Sequence, residues 1–282
     1  MRCYPCSLVC LFAWLWALTV SAADGRTWEV FLKRHARAPA DAPDALVHLP
    51  PGFGTEQPFD LVVFLHGFDG CSRALVAPEP VACARGERPH RVWNLGALHD
   101  ASHTQTVLIV PQLAYLARTA QDHRFRERGA FDAMLREIFE DKLASQLGAG
   151  AMPRVRSIAL VAHSAGYGAA AAILRDPERK VRVTHLVLLD ALYAGASTFA
   201  AWANGDEGTR IISLHTQQAK TREGNRLLMR ALGAGEVARE VGDYSPHALR
   251  QHRHLVAEVR TAHGDMPKAH FSQILHALFS PG

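Results

Sequence analysis

Beyond its first 22 residues this 282-residue sequence has no apolar stretch long enough to cross a bilayer, which argues against a stable membrane span in the rest of the chain. It lacks a strong excess of charge. The formal balance is +4, and no basic stripe is interleaved with aromatics, so nucleic acid is not an expected partner. The short run Arg250-Gln251-His252-Arg253-His254 reads as a solvated face. Internal repeats, low-complexity tracts and linkers are absent, and so is a glycine-rich phosphate loop. Gly166-Tyr167-Gly168 lacks the remainder of a dinucleotide fingerprint. His99 and His103 lie four apart, and His252 and His254 two apart, but neither pair has a carboxylate or third histidine in a recognised zinc-ligand arrangement. No metal site and no cofactor are expected.

What is present begins with a targeting pattern. In residues 1–22 Arg2 is the only charge, Leu8–Val20 is apolar apart from Thr19, and Val20-Ser21-Ala22 precedes Ala23-Asp24. These are the n-region, h-region and small-residue cleavage site of a signal peptide. The apolar run is short for a membrane anchor, the competing reading. Cys10 lacks the small residue expected just before a lipidated cysteine. Residues 1–22 are therefore expected to leave a secreted or periplasmic chain, 23–282, of net charge +3. Of five cysteines, Cys3, Cys6 and Cys10 depart with the signal. Cys71 and Cys83 remain, in one loop and in an oxidising compartment, and are expected to pair; the alternative is two buried free thiols.

A composition of 48% hydrophobic and 21% charged residues is that of an ordinary globular chain. Thr27–Ala36 and Ala45–Leu49 read as strands that could pair at an antiparallel edge. Short, continuously apolar runs suit strands buried on both faces: Asp60–Leu65, Thr106–Val110, Ser157–Ala162, His185–Leu189, Arg210–Leu214 and Leu255–Thr261. Helical patterns fall between several of them, at Ala130–Leu147, Ala165–Arg175, Thr221–Leu232 and Pro267–Phe279. This alternation predicts one α/β domain over 23–282, a mostly parallel sheet with helices on both faces. The longest irregular stretches are Gly67–Ser102 and Gln112–Gly129, both after strand C-terminal ends, where open α/β sheets place their sites. No stretch is long enough for a large lid domain.

The stretch Ser157–Ala172, SIALVAHSAGYGAAAA, sets Ser164 on a strand-to-helix corner flanked by small residues. Such a corner exposes a hydroxyl and aims the next amide, that of Ala165, from a helix N-terminus. Helix capping by the serine is the competing use. His66-Gly67-Phe68-Asp69 directly follows another buried strand, and a glycine there lets the Phe68 amide turn inward as a second oxyanion donor. Asp190 follows four apolar strand residues, where an unpartnered carboxylate is costly. A histidine or the amides of a helix N-terminus would answer that cost. A general base should follow the last strand. His263 does so directly and is preferred to His270, which would sit about one turn into the final helix pattern and point sideways.

The HG pair after a buried strand, the AHSAG corner, the acid after the next strand and the terminal histidine resemble the α/β-hydrolase family, over essentially all of 23–282. The resemblance implies a sheet of about eight mostly parallel strands and acyl transfer through Ser164, with a small-molecule or polymer acyl substrate. Two features depart from the family pattern: Ala162 opens the corner where glycine is most common, and Asp190 sits one strand earlier than the acid of many members.

Overall fold

The structure is a computed structural model that describes residues 25–33, 38–54, 57–90, 93–118, 124–147, 152–233, 237–241 and 244–280. The signal peptide expected at 1–22 and the end of the strand expected at Thr27–Ala36 lie outside these residues.

Each continuous apolar run forms a strand. The strands are β1 (Arg26–Val30), β2 (Ala45–Leu49), β3 (Phe59–Leu65), β4 (Thr106–Pro111), β5 (Val155–His163), β6 (Val183–Leu189), β7 (Arg210–His215), β8 (Val237–Val241) and β9 (His254–Glu258). They join one sheet in the order β1-β2-β4-β3-β5-β6-β7-β9-β8. β1 and β2, and β2 and β4, pair antiparallel; from β4 to the β8 edge every pairing is parallel.

Among the described residues the sheet therefore has nine strands, against about eight expected. The additional one is β8, whose sequence VAREV carries two charges and gives no apolar run; it is recruited at the edge by pairing with β9. β9 stops at Glu258, short of the expected Thr261.

The helices are α1 (Ser72–Val76), α2 (Leu95–Asp100), α3 (Ala130–Arg136), α4 (Ala144–Leu147), α5 (Tyr167–Arg175), α6 (Ala196–Asn204), α7 (Ala219–Leu232), α8 (Pro246–Gln251) and α9 (Met266–Phe279). Helical periodicity predicted α5, α7 and α9. The pattern at Ala130–Leu147 resolves into α3, a π-type turn at Glu137–Lys142 and α4. α1 and α2 are too short for periodicity to show, and they order much of the stretch expected to be irregular. They start at Cys71, whose sulfur accepts from the Ala74 amide, and at Asn94, whose side chain accepts from Ala97.

The central strands are apolar throughout because both faces are covered. On β3, Leu61, Val63 and Leu65 pack into a core with Phe131, Ile173, Phe199 and Leu228 from α3, α5, α6 and α7. Val62 and Phe64 point to the other face, among Leu75, Leu95, Leu249 and Phe271 from α1, α2, α8 and α9. Two cores back to back leave the strand C-terminal ends as the place where loops gather. No helix among the described residues is long and apolar enough to cross a membrane.

Candidate active site

β5 ends at His163, and the chain turns through Ser164-Ala165-Gly166 into α5. Ser164 has φ +53°, a left-handed conformation costly for a residue with a Cβ. Small neighbours make the turn possible. A Cβ on Gly166 would lie 2.1 Å from the Leu65 carbonyl oxygen, so a larger residue there would force β3 and the corner apart. The first amides of the corner, Ala165 included, precede any intrahelical acceptor.

Asp190, the residue after β6, also has positive φ, +46°. Its carboxylate is fully buried. Oδ2 receives the His263 ring Nδ1–H at 2.7 Å and the Thr216 hydroxyl at 3.0 Å. Oδ1 receives the Thr216 amide at 3.0 Å. Burial pushes the Asp190 carboxyl up, but the hydrogen bonds from His263, Thr216 and Thr221 outweigh it and hold the group down at about 2.

His263 opens a short turn, His263–Asp265, just before α9, and Pro267 stands in the first turn of that helix. Its Nε2 lies 3.0 Å from the Ser164 Oγ. With Nδ1–H committed to Asp190, Nε2 presents its lone pair to the serine hydroxyl. Ser164, Asp190 and His263, at the ends of β5, β6 and the segment after β9, thus form one hydrogen-bonded chain.

His270 is placed differently. Its Nδ1 meets the Tyr244 hydroxyl at 2.9 Å and its Nε2 the Thr261 hydroxyl at 2.8 Å. The ring ties α9 to the loops beside it.

Gly67 passes directly against the serine: a Cβ on it would stand 2.7 Å from Ser164 Cβ and 3.1 Å from Oγ. The loop is braced by the buried His66, whose Nδ1–H donates to the Gly67 carbonyl at 2.8 Å while Nε2 accepts from the Leu113 amide at 3.0 Å. Burial lowers the His66 pKa to about 4, so the ring stays neutral in this role. Phe68 follows with its side chain 49% exposed. Cys71 and Cys83 are joined by a disulfide, Cα to Cα 5.9 Å, in the same loop region.

Several contributors carry no local mark in the sequence. His163 is the residue just before Ser164 in the corner. It is buried, and its Nε2–H donates to the His263 carbonyl at 2.9 Å, with the two rings 4.8 Å apart. Trp93 packs edge-on against His163 at 4.8 Å and donates to the Gly264 carbonyl at 3.0 Å. Nothing local in the sequence marks either contact. Thr216 does carry a signal: it lies directly after the buried strand β7.

Two cavities flank Ser164 and His263. One of about 420 Å³ is walled by Gly67, Cys71, Trp93 and His163. The other, about 1220 Å³, is walled by Tyr167, Tyr193, Lys220, Glu223 and Leu227. Phe68 lines both. The Tyr193 ring stands edge-on to His263 at 6.4 Å, and its hydroxyl donates to Gln218 at 3.0 Å.

Strand order, corner and loop placement together define an α/β-hydrolase fold. No protein-family model matches the sequence, and no curated protein matches it. Solved structures do. A feruloyl esterase module from Clostridium thermocellum, a serine-to-alanine mutant complexed with sinapinate, superposes with a TM-score of 0.56 at 11% identity, over 90% of this chain and 88% of that one. A ferulic acid esterase superposes with a TM-score of 0.54 at 12% identity, over 91% of this chain and 97% of that one. The fold is thus one whose solved neighbours include ester hydrolases, and no large lid is present among the described residues.

Proposed function

We propose that the protein is an exported serine hydrolase that cleaves a carboxylic ester through an acyl-enzyme. The observation that carries this reading is the unbroken chain from Asp190 through His263 to Ser164, 2.7 Å and 3.0 Å long. Ser164 attacks the ester carbonyl as His263 Nε2 takes its proton. The imidazolium so formed is stabilised by Asp190 and returns the proton to the leaving alcohol. The Phe68 and Ala165 amides receive the oxyanion, a role worth on the order of 3 kcal/mol per donor. Water, activated by the same histidine, then releases the acid. The two cavities either side of Ser164 supply room for an acyl group and an alcohol, from a small molecule or a polymer.

Export rests on the leader pattern at residues 1–22 and on the Cys71–Cys83 disulfide, a bond that persists in oxidising compartments. Residues 23–282 then make one hydrolase domain.

Labelling with a fluorophosphonate, followed by peptide mapping, tests the nucleophile: adduct on Ser164 is expected, and folded protein that never reacts there refutes the reading. A panel of esters of graded chain length, with peptides beside it, tests the reaction. Amide cleavage in preference to ester cleavage would turn the assignment to a peptidase or a cell-envelope acyl hydrolase. Failure of every substrate in protein that still takes up the label would instead mark a narrow specificity. Failure of both would leave a hydrolase fold used for binding.

A further inference from the structure

A second cluster of chemistry-bearing side chains lies outside both cavities, where β2 meets α2. His48 projects from β2; His99 and Asp100 end α2. One potential ligand atom from each of the three lies within 4.8 Å of the others. His48 and His99 are buried, their rings edge-on at 5.4 Å, while the Asp100 side chain is 29% exposed and gives access from solvent.

The protonation of His99 can be deduced from its neighbours. The Ser102 hydroxyl donates to the His99 carbonyl at 2.6 Å. Its one proton is spent there, so at 2.9 Å it accepts from Thr104. Thr104 in turn accepts from Thr106 at 3.1 Å. The Thr106 hydroxyl has then no proton left for His99, so the 2.7 Å contact between them is Nε2–H of His99 donating to Thr106. The proton is on Nε2, and Nδ1 carries a bare lone pair. That Nδ1 is buried and has no hydrogen-bond partner in the structure. A buried acceptor without a donor is costly.

We propose that His48 Nε2, His99 Nδ1 and the Asp100 carboxylate form a binding site for a divalent transition-metal ion, zinc being the ion this donor set suits. Both histidine ligands have their outer partners in place. His99 Nε2–H is held by Thr106, and His48 Nδ1 lies 2.7 Å from the Thr27 hydroxyl. Without metal, Thr27 donates to His48 Nδ1, and Nε2–H donates to Asp100 at 2.9 Å. With metal, the proton moves to Nδ1 and points at Thr27, and Nε2 turns its lone pair to the ion. Ligand atoms about a zinc ion stand roughly 3.3 Å apart, so the His48–Asp100 contact opens by a few tenths of an ångström while His99 closes in. Solvent completes the coordination. Gly25 lies over the site: a Cβ there would fall 2.5 Å from Asp100 Oδ1 and 2.7 Å from His48 Nε2, which leaves room for glycine alone. The ion would clasp β2 to α2, the helix that follows Trp93 and so the support of the His263 loop.

The test is calorimetric titration of chelator-treated, full-length protein with zinc chloride, with the thermal midpoint recorded in zinc and in chelator. The expected result is one ion per chain, a higher midpoint in zinc, and binding at least tenfold weaker in Asp100→Asn. His99→Leu, which fills the site with an apolar side chain, should bind none at that site while keeping its fluorophosphonate reactivity. Wild-type protein that takes up no zinc at submillimolar concentration overturns the proposal. So does undiminished binding by Asp100→Asn, an isosteric change at a partly exposed side chain; that variant carries the test even if His99→Leu does not fold. None of these readouts depends on the ester reaction.

Discussion

Thr216 holds both oxygens of Asp190, its amide on Oδ1 and its hydroxyl on Oδ2, each at 3.0 Å. The threonine is the first residue after β7, and the carboxylate it holds comes from the end of β6. The acid and its anchor thus occupy adjacent strand ends. A hydrogen bond to a charged group contributes about 1.5–3 kcal/mol. Thr216→Val keeps the shape and the amide donor but removes the hydroxyl. We expect kcat to fall on the order of tenfold with KM little changed, as steady-state ester hydrolysis will show. Asp190→Asn should cost far more, up to about 10⁴ in kcat, since the amide favours the wrong imidazole tautomer. Equal, small effects of the two variants would mean that Asp190 does not orient the base.

Gly67 and Gly166 are both close-packed, but against different atoms. At Gly67 the added methyl of Gly67→Ala would meet the Ser164 side chain at 2.7 Å; at Gly166 it would meet the Leu65 carbonyl at 2.1 Å. The first clash is relieved by moving the Phe68 loop, the second only by parting β3 from the corner. Gly67→Ala is expected to melt near wild type and react slowly with fluorophosphonate. Gly166→Ala should be destabilised by several kcal/mol, on the scale of an overpacked core or more. Melting curves with labelling rates on the same samples separate the two.

Acid should weaken the fold well before the carboxylates titrate. Burial lowers the pKa of His66, His163 and His254 to about 4 from the ordinary 6.5; neighbouring charges add to this, Arg253 and Arg210 at His254 among them. Each is neutral when folded and charged when unfolded below pH 6.5, so the unfolded chain binds more protons. The stability they contribute is complete above about pH 6.5 and is lost as pH falls toward 4, at up to about 1.4 kcal/mol per pH unit for each ring. Asp190, held at about 2, adds its own loss only between its ordinary 3.8 and 2. Urea midpoints measured from pH 7.5 to 4.5 should fall steadily; a flat profile would show that these rings are not buried neutral.

The Cys71–Cys83 bond closes a loop of a dozen residues beside the Gly67-Phe68 segment, and Cys71 walls the smaller cavity. Chain entropy assigns such a closure about 3 kcal/mol, on the order of 10 °C in melting temperature for a domain of this size. Replacing both cysteines by serine should leave the sheet folded, because neither lies on a strand, while loosening Phe68 and lowering turnover further than the loss of stability alone would. Unchanged turnover in a reductant that demonstrably opens the bond would refute this.

How far the sequence carries depends on the range of the interaction. The buried strands β3 to β7 are legible because a strand covered on both faces must be apolar at successive positions. The same reasoning placed Ser164 on a corner, Asp190 at a strand end and His263 after the last long apolar run. Local chemistry likewise announced the pairing of Cys71 with Cys83. β8 escaped because an edge strand exposes one side and is defined by its partner β9 rather than by its own composition. α1 and α2 escaped because five or six residues are too few to display a helical period. Only the folded chain decides which histidine meets which partner. His263 and His270 are seven residues apart, yet one faces Ser164 and the other Tyr244. His48 and His99 are remote in sequence and adjacent in space. A hydrogen bond a few ångströms long is set by how the sheet twists and how helices dock on it, and that information is spread over the whole core rather than written beside the residues that make the bond.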